Sequence, residues 1–186
     1  RKFKIAYSSS DKDSAYTFLH DIGFIPRIQN GERGFKVVVG GGLGAQPFMA
    51  FPVHEFLHED FVIPFVEACL RVFDRYGERT RRNKARLKYL IKDIGIEKYM
   101  ELVAIEQKAT KVKTFKIDTT KVNTGEPTHN NIAPSVTIEN EARYQDWLKT
   151  NVFEQKQNGF YAVALKVTKG DIKPDEARTI AALAQQ

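Results

Sequence analysis

The stretch that most constrains the fold of this chain is Phe35-Lys-Val-Val-Val-Gly-Gly-Gly-Leu-Gly44. Its first five residues include Phe35 and three β-branched valines, which predict a strand, and the glycines after them predict a loop. Residues Gly40–Ala45 also match the glycine-x-glycine-x-x-alanine pattern of dinucleotide-binding loops. That pattern holds a pyrophosphate only where it opens a helix, and Pro47 and Pro52 prevent a regular helix here. A nicotinamide-dependent dehydrogenase is therefore disfavoured.

The glycine loop has a second interpretation. Because glycine carries no Cβ atom, a flat or bulky group can approach the backbone of Gly40–Gly44 closely. The loop is thus a candidate wall of a binding site.

Strands and helices are predicted on both sides of this stretch. They are a strand over Arg1–Tyr7, a short helix from Ser8 to about His20, a helix from Pro64 to Gly77, a helix from Ile96 to about Ala109 and a strand over Lys111–Ile117. The Pro64 helix has the expected boundaries, with proline in its first turn and glycine just beyond its end. Its apolar face includes Cys69, which is therefore predicted to be an inert core residue.

A dense basic segment lies between the two longer predicted helices. Its cations are Arg79, Arg81, Arg82, Lys84, Arg86 and Lys88, and no acidic residue interrupts them. Their number equals the formal net charge of +6, so the rest of the chain is close to neutral. The segment runs into Leu87–Ile94, whose apolar residues have helical spacing, and one basic helix is predicted. Cations at the border of a buried helix face can line a pocket, whereas a solvated basic helix is the simpler interpretation.

Lys2 and Lys4 lie on one face of the first predicted strand, because side chains alternate along a strand. Their Cα atoms would be about 7 Å apart, which suits an anion clamp if that face borders a cavity. Lysines are also common on solvent-facing edge strands, where they oppose aggregation. Both interpretations are consistent with the residues.

The composition limits the possible classes of protein. The 186 residues suffice for one or two domains, and the net charge of +6 suits an anionic partner such as nucleic acid, phosphate, a polycarboxylate cofactor or a small oxyanion. No apolar run approaches the roughly 20 residues of a membrane-spanning helix. The single Cys69 excludes an internal disulfide and a site of several cysteines, which favours a reducing, cytoplasmic setting.

The C-terminal third has a different character. Residues 123–134 are rich in Asn, Thr, Pro and Gly and read as an extended connector. A second unit starts near Tyr144, with a strand over Phe160–Val167 and a helix from Pro174. It is too small to be stable alone, because its strand needs partners.

Several segments, in order, resemble the siroheme-containing nitrite and sulfite reductase family. They are Arg1–Lys4, Gly34–Gly44, Arg75–Arg79, Arg82–Arg86, Asp93–Glu97, Asn151–Gly159 and Lys169–Asp171. The resemblance covers nearly the whole chain apart from the connector. Its specificity comes from the order and spacing of the segments rather than from any one motif.

The resemblance implies an α+β fold in which a mixed sheet is flanked by helices. Residues 1–115 would form the siroheme-binding catalytic domain, and residues 116–143 would form a connector. Residues 144–186 would begin a ferredoxin-like half-domain, incomplete in this chain, that in the family pairs with a related half-domain.

The resemblance also implies an activity and a set of site residues. Such enzymes reduce sulfite to sulfide, or nitrite to ammonia, at the iron of siroheme, which a cysteine thiolate bridges to a 4Fe-4S cluster. Lys2 and Lys4 match the paired basic residues that bind the anion and help to deliver protons, and lysine at position 4 favours sulfite. The residues that match positions facing siroheme are Arg1, Gly40, Gly41, Gly42, Arg82, Asn83, Lys84 and Arg86.

The implied partners are the oxyanion, a ferredoxin or flavoprotein electron donor, and the remainder of a parent chain. The resemblance implies that the four cluster cysteines lie C-terminal to Gln186, and Cys69 cannot substitute for four thiolates. We therefore expect the isolated chain to bind no cofactor and to be catalytically inactive.

The alternative hypothesis is a nucleic-acid or phosphate-binding module built on the basic segment Arg79–Lys88. Its binding would weaken steeply with salt. The chain has neither the strand signature of an RNA-recognition motif nor a zinc finger, so nucleic acid is the less favoured partner.

Overall fold

A computed structural model describes residues 2–118, 120, 137–155 and 159–184. The chain divides into two units, Arg1–Val122 and Asn123–Gln186. Arg1, which was predicted to face siroheme, and most of the predicted connector lie outside the described residues.

The first unit is built on a four-stranded mixed sheet. Its strands are β1 (Ile5–Tyr7), β2 (Ile22–Gln29), β3 (Glu32–Val39) and β4 (Phe51–His58), in the spatial order β1-β2-β3-β4. Strand β1 is parallel to β2, whereas the other neighbours are antiparallel. The strand predicted before the glycine loop is confirmed as β3. The strand predicted over Arg1–Tyr7 is confirmed only for Ile5–Tyr7, so Lys2 and Lys4 lie in the segment that leads into β1.

Three helices complete the first unit: α1 (Val62–Tyr76), α2 (Leu87–Ile94) and α3 (Ile96–Ala109). Helices α1 and α3 confirm the two longer predicted helices. Alternate residues of β2 and β3 pack against apolar residues of all three helices. This core consists of Ile22, Phe24, Val37, Val39, Val62, Phe65, Ala68, Cys69, Val72, Phe73, Leu87, Leu90, Ile91, Tyr99 and Val103.

The predicted basic helix over Arg79–Lys88 is wrong, because α2 begins only at Leu87. The carboxylate of Glu78 accepts hydrogen bonds from the backbone N–H groups of Thr80 (2.8 Å) and Arg81 (3.2 Å). The hydrogen bond from the Thr80 hydroxyl has the largest effect on the Glu78 carboxyl. Together with the two backbone bonds and the bond from the Arg81 side chain, it lowers the pKa of that carboxyl to about 2. Arg81 is extended, with φ −92° and ψ 97°, and Arg86 is extended too, with φ −114° and ψ 152°, so no regular helix runs through the basic segment. A local side-chain acceptor has replaced helical backbone bonds here.

Two further predictions are wrong. Instead of a helix over residues 8–20, there is a 3-10 turn at Thr17–Leu19, because Asp13 and Tyr16 have positive φ values of 51° and 50°. The carboxylate of Asp13 accepts a hydrogen bond from the N–H of Thr17 at 3.0 Å, which stabilises this tight turn. No strand forms over residues 111–117, all of which are exposed.

The second unit consists of α4 (Glu141–Asn151), β5 (Val152–Glu154), β6 (Tyr161–Val163) and α5 (Pro174–Leu183). Strands β5 and β6 pair antiparallel, and β6 and α5 confirm a predicted strand and the helix predicted from Pro174. No residue of α4 or α5 that the structure describes is buried. With its mixed sheet and flanking helices, the protein has the α+β fold that was expected.

Within the described ranges, no helix combines the length and the apolar character that crossing a membrane requires.

Candidate functional site

A cleft of about 400 Å³ lies at the N-terminal end of the first unit. Its lining residues are Lys2, Lys4, Ala15, Tyr16, Leu19, His20, Leu43, Gly44 and Arg86. They come from four separate parts of the sequence: the residues leading into β1, the 3-10 turn, the glycine loop and the residue before α2. The basic side chains of Lys2, Lys4 and Arg86 therefore border one cavity.

The two lysines reach the cleft because the aromatic side chains between and after them face the other way. Phe3 packs on Phe73 of α1, with ring centroids 5.7 Å apart. Tyr7 stacks on Phe24 of β2 at 4.7 Å, and burial raises the pKa of its hydroxyl. These contacts fix the alternation of the strand and leave Lys2 and Lys4 exposed.

Asp21 connects Lys4, which precedes β1, to Arg86, which precedes α2. Its carboxylate is fully buried and accepts hydrogen bonds from Arg86 at both oxygens, from Nε at 3.2 Å and from Nη2 at 2.6 Å. The same carboxylate also accepts a hydrogen bond from the backbone N–H of Lys4 at 2.8 Å. Two donors of the guanidinium thus meet one carboxylate, which is the strongest common geometry for this pair.

The glycine loop forms the wall beside Arg86, but its first two glycines are buried under other parts of the chain. Gly40 has φ +96°, and a Cβ there would lie 2.7 Å from the Cδ1 atom of Ile91. Gly41 is equally confined by the backbone of the 3-10 turn. Contacts within the chain therefore account for the missing side chains at Gly40 and Gly41. Gly42 is also buried and does not line the cleft; a Cβ there would lie 3.2 Å from Cδ of Lys88 and 3.5 Å from Nη2 of Arg86.

Lys88 binds the glycine loop and the residues that follow it through hydrogen bonds to backbone carbonyl groups. Its side chain is buried, and its Nζ atom donates hydrogen bonds to the carbonyl oxygens of Leu43 (3.0 Å) and Gln46 (2.5 Å). The same atom lies 5.1 Å from the ring centroid of Tyr89. Burial lowers the pKa of Lys88, and the nearby charge of Arg86 lowers it further. Lys88 is therefore a structural cation that supports the wall of the cleft.

The remaining predicted site residues lie elsewhere. Arg82, Asn83 and Lys84 form an exposed 3-10 turn and, in the described part of the chain, do not line the cleft. Two other cations of the basic segment form ion pairs: Arg79 with a carboxylate of α1 at 2.7 Å and Arg81 with the carboxylate of Glu78 at 2.6 Å. Much of the charge of this segment is thus neutralised within the molecule.

The sequence contains one cysteine, whereas a 4Fe-4S cluster takes four cysteine thiolates. That cysteine, Cys69, is buried in α1, and burial raises the pKa of the thiol to about 12. Its backbone carbonyl accepts a hydrogen bond from the Tyr99 hydroxyl at 3.0 Å. No group of three or more His, Cys, Asp or Glu side chains that could hold a metal ion occurs among the described residues. Cys69 is a core residue, as predicted.

The sequence had not drawn attention to Asp21 or Tyr16, and His20 was interpreted only as a cation at the end of the predicted short helix. Nδ1 of His20 lies 3.0 Å from the carbonyl oxygen of Tyr16, within the wall of the cleft. For Asp21 a signal was present, because it directly precedes the apolar run Ile22–Ile25. A carboxylate next to a buried strand needs a cationic partner or several hydrogen bonds. No such signal identifies Tyr16 or His20.

Comparisons with known proteins give a consistent result. The family model described as the nitrite and sulphite reductase 4Fe-4S domain matches residues 1–113. The sulfite reductase (NADPH) hemoprotein beta-component of Chromohalobacter salexigens is 35% identical over 111 residues, which are 55% of this chain and 19% of that protein. Sulfite reductase (ferredoxin) 1 of Mycolicibacterium paratuberculosis is 39% identical over 108 residues, 57% of this chain and 19% of that protein.

A solved structure agrees with these matches. The NirA protein of Mycobacterium tuberculosis is 33% identical and has a TM-score of 0.53, with 63% of this chain and 21% of that chain covered. The present chain thus spans about a fifth of the length of the relatives that it matches. Since the family model matches more than half of its residues, the chain belongs to the nitrite and sulphite reductase 4Fe-4S domain family.

Proposed function

We propose that the cleft binds the oxyanion substrate and carboxylates of siroheme in an enzyme that reduces sulfite or nitrite. One observation carries this proposal: Lys2, Lys4 and Arg86 border a single cavity, although Arg86 lies far from the two lysines in the sequence. Three cations around one cavity attract a small dianion strongly. The names of the relatives, which are sulfite reductases, support the same class of substrate.

Lys2 and Lys4 are the proposed catalytic residues. Fixed ammonium groups stabilise the negative charge of a bound oxyanion and the additional charge that develops as its oxygens leave. An ammonium group can also donate a proton, and a lysine beside other cations loses its proton more readily. We propose that both lysines hold the anion and that they deliver protons to its departing oxygens.

The residues around the cleft fit a polycarboxylate macrocycle. Arg86 presents donors beside Gly42, and the exposed turn of Arg82, Asn83 and Lys84 adds further donors outside the cleft. Guanidinium and ammonium groups are the side chains that bind carboxylates best. Siroheme, when bound, would supply an iron that coordinates the anion and transfers electrons to it. The residues of this chain would bind the carboxylates and orient the group.

We propose that Gly40 and Gly41 form part of the backbone around the siroheme site. Arg1 would lie on the N-terminal side of the same site. Gly40 and Gly41 lie under the loop surface, so they would act by setting the path of the backbone rather than by direct contact. The residues present do not fit the 4Fe-4S cluster, which takes four cysteine thiolates, because the chain contains one cysteine. We therefore propose that the cluster is bound by other parts of a parent chain.

The remaining features of the proposal concern the whole enzyme. Its electron donor would be ferredoxin or a flavoprotein, and lysine at position 4 favours sulfite over nitrite. The lone cysteine suits a reducing compartment, which supports a cytoplasmic location. The isolated chain is expected to be inactive, so turnover of sulfite by this chain with added siroheme and a chemical reductant would contradict that part.

The anion site can be tested on the 186-residue chain by nuclear magnetic resonance. The ¹⁵N-labelled protein is titrated with sodium sulfite at low ionic strength, with sodium chloride at matched ionic strength as the reference. We expect sulfite to shift the amide signals of Lys2, Lys4, Gly44 and Arg86 selectively. Lys2→Gln and Lys4→Gln should each weaken binding several-fold, because each removes one charge from the cavity.

Lys111→Gln is the matched control, because Lys111 is an exposed lysine of the same unit that does not line the cleft. It should bind sulfite as the unmodified chain does. Shifts spread over the exposed lysines, or an equal loss of affinity in all three variants, would mean that the charge of the protein acts as a whole. The proposed anion site would then be refuted.

A further inference from the structure

Asp21 is a buried acid that does not line the cleft but accepts hydrogen bonds from two residues that do, Lys4 and Arg86. Its side chain has no exposed surface, and it lies 65 residues from Arg86 and 17 residues from Lys4 in the sequence. We infer that Asp21 is a positioning residue, which fixes the distance between the Lys4 strand and the Arg86 guanidinium and so sets the shape of the anion site. This inference rests on the proposed function of the cleft.

The hydrogen bonds support this role. One oxygen, Oδ2, accepts both the backbone N–H of Lys4 at 2.8 Å and Nη2 of Arg86 at 2.6 Å. The second oxygen accepts Nε of Arg86 at 3.2 Å. Because one atom accepts both bonds, the backbone of Lys4 and the guanidinium cannot move apart without breaking a charge-assisted bond to a buried carboxylate.

Burial of Asp21 makes the arrangement stiff. The side chain of Asp21 is 0% exposed and that of Arg86 is 20% exposed, so the carboxylate cannot replace its partners with solvent if the pair separates. Asp21 occupies two donors of Arg86, Nε and Nη2. The other N–H groups of the guanidinium remain available to an anion in the cleft that Arg86 lines. Asp21 thereby selects which part of Arg86 an anion meets.

The carboxylate also adjusts the charge of the site. Its negative charge offsets that of Arg86 and raises the pKa of Lys88, against the larger effect of burial. The lysines of the strand then supply most of the net positive charge at the cleft. Asp21 is therefore expected to influence the affinity for an anion through Arg86 and not through contact with the anion itself.

Asparagine at position 21 separates these effects by chemistry. The amide oxygen can keep the bonds from Lys4 and from Nη2 of Arg86, but the amide nitrogen then faces the N–H of Arg86 Nε. Two donors cannot bond each other, so the guanidinium must turn away. Removal of the negative charge by itself favours an anion, so weaker binding can come only from lost positioning. Asp21→Asn should weaken sulfite binding on the order of tenfold, because the loss of the charge-assisted bond that orders the site outweighs the gain in charge.

A double-mutant cycle distinguishes positioning from a general structural role. Sulfite affinity is measured for the unmodified chain, Asp21→Asn, Arg86→Gln and the double variant, at a temperature where unfolding curves show each to be folded. If Asp21 acts through Arg86, the double variant binds sulfite no more weakly than Arg86→Gln alone. Losses that multiply, or unchanged affinity in Asp21→Asn, would overturn the inference.

Arg86→Lys tests the inference if Asp21→Asn fails to fold. Lysine keeps the charge but cannot bond both carboxylate oxygens in the fork geometry of arginine. Positioning predicts that Arg86→Lys also binds sulfite several-fold more weakly than the unmodified chain. Equal affinity would mean that charge alone matters, and the inference would fail.

The outcome for Asp21 can be separated from the outcome for the proposed function. If the unmodified chain binds no sulfite, the anion site is refuted, and Asp21 is judged by hydrogen exchange instead. The Arg86 Nε–H and the Lys4 amide should exchange slowly in the unmodified chain and at least tenfold faster in Asp21→Asn, since both lose a charged acceptor. Equal exchange in the two proteins would show that Asp21 positions neither group.

Discussion

Gly41 lies directly against the carbonyl of Phe18: a Cβ atom at position 41 would be 2.2 Å from that carbonyl oxygen. This contact joins the glycine loop to the 3-10 turn, two segments that both contribute to the wall of the cleft. The contact is reinforced next to it, where the N–H of Ala50 donates to the same oxygen at 2.8 Å. The glycine loop is therefore held by backbone contacts that exclude even a methyl group.

Gly41→Ala should destabilise the protein by about 3 kcal/mol, since overpacking against backbone cannot be relieved by a side-chain rotation. Gly42→Ala is the matched control: its Cβ would meet the flexible side chain of Lys88 at 3.2 Å, and about 1 kcal/mol is expected. Chemical denaturation of both variants measures the difference. Equal losses in the two variants would contradict the backbone contact.

Lys88→Met should lower the free energy of unfolding by about 2 kcal/mol, because the carbonyl oxygens of Leu43 and Gln46 lose a charged donor. The methionine keeps most of the apolar volume. Lys84→Met, at an exposed position in the preceding turn, should change stability by no more than about 0.5 kcal/mol. Urea unfolding curves of the two variants provide the measurement. A neutral Lys88→Met would mean that the glycine loop does not depend on this lysine.

His54 should make the protein less stable in mild acid. Its Nε2 atom is buried and has no hydrogen-bonding partner in the described structure, its ring packs against Phe65, and burial lowers its pKa. The unfolded chain takes up the proton near the ordinary pKa of about 6.5. The stabilisation is therefore full above that pH and is lost as the pH falls through the lower native pKa.

The prediction for His54 has two measurements. The ring signals of His54 should titrate with a midpoint below 6.5 in the folded protein. The loss of stability between pH 7 and pH 5, about two units around the ordinary pKa, should be smaller in His54→Gln than in the unmodified protein. A midpoint at or above the ordinary value would exclude the effect of burial.

Cys69 should react with alkylating reagents only when the protein unfolds. Burial raises the pKa of its thiol to about 12, so the thiolate is scarce at neutral pH and the sulfur is also inaccessible. The stabilisation linked to this thiol is present below its ordinary pKa near 9 and is lost as the pH rises towards 12.

The matched control is a variant in which the only thiol lies at position 70 instead of position 69. In Cys69→Ala combined with Leu70→Cys, the new thiol occupies a position that is 39% exposed on the same helix. It should react at least tenfold faster than Cys69 under native conditions, and both should react alike in denaturant. Rapid native labelling of Cys69 would show that α1 opens readily.

Two of the unpredicted strands contain a proline, and the sheet explains why both are tolerated. Pro26 lies in β2 beyond the last residue paired with β1, because β1 ends at Tyr7 opposite Phe24. Pro52 lies in β4, the last strand of the sheet. A proline is acceptable where no neighbouring strand needs its missing N–H. The sequence between β2 and β3 did contain a hairpin signal, Asn30-Gly31, whose φ values of 52° and 80° fit a two-residue turn.

The sequence by itself determined what depends on neighbours along the chain. Helices α1 and α3 follow from apolar residues at helical spacing and, for α1, from Pro64 and Gly77, which are local signals. The alternation of Lys2 and Lys4 with Phe3 was equally local. These features could be predicted because hydrogen bonding and side-chain direction within one element depend on residues a few positions away.

Only the tertiary structure decided what depends on residues far apart. The sequence suggested a helix through Arg79, but the carboxylate of Glu78 captures the backbone and delays α2 to Leu87. The convergence of Lys4 and Arg86 depends on Asp21, which neither the charge count nor the spacing of the cations revealed. A buried carboxylate selects its partners by distance in space, and that distance exists only once the sheet and helices have packed together.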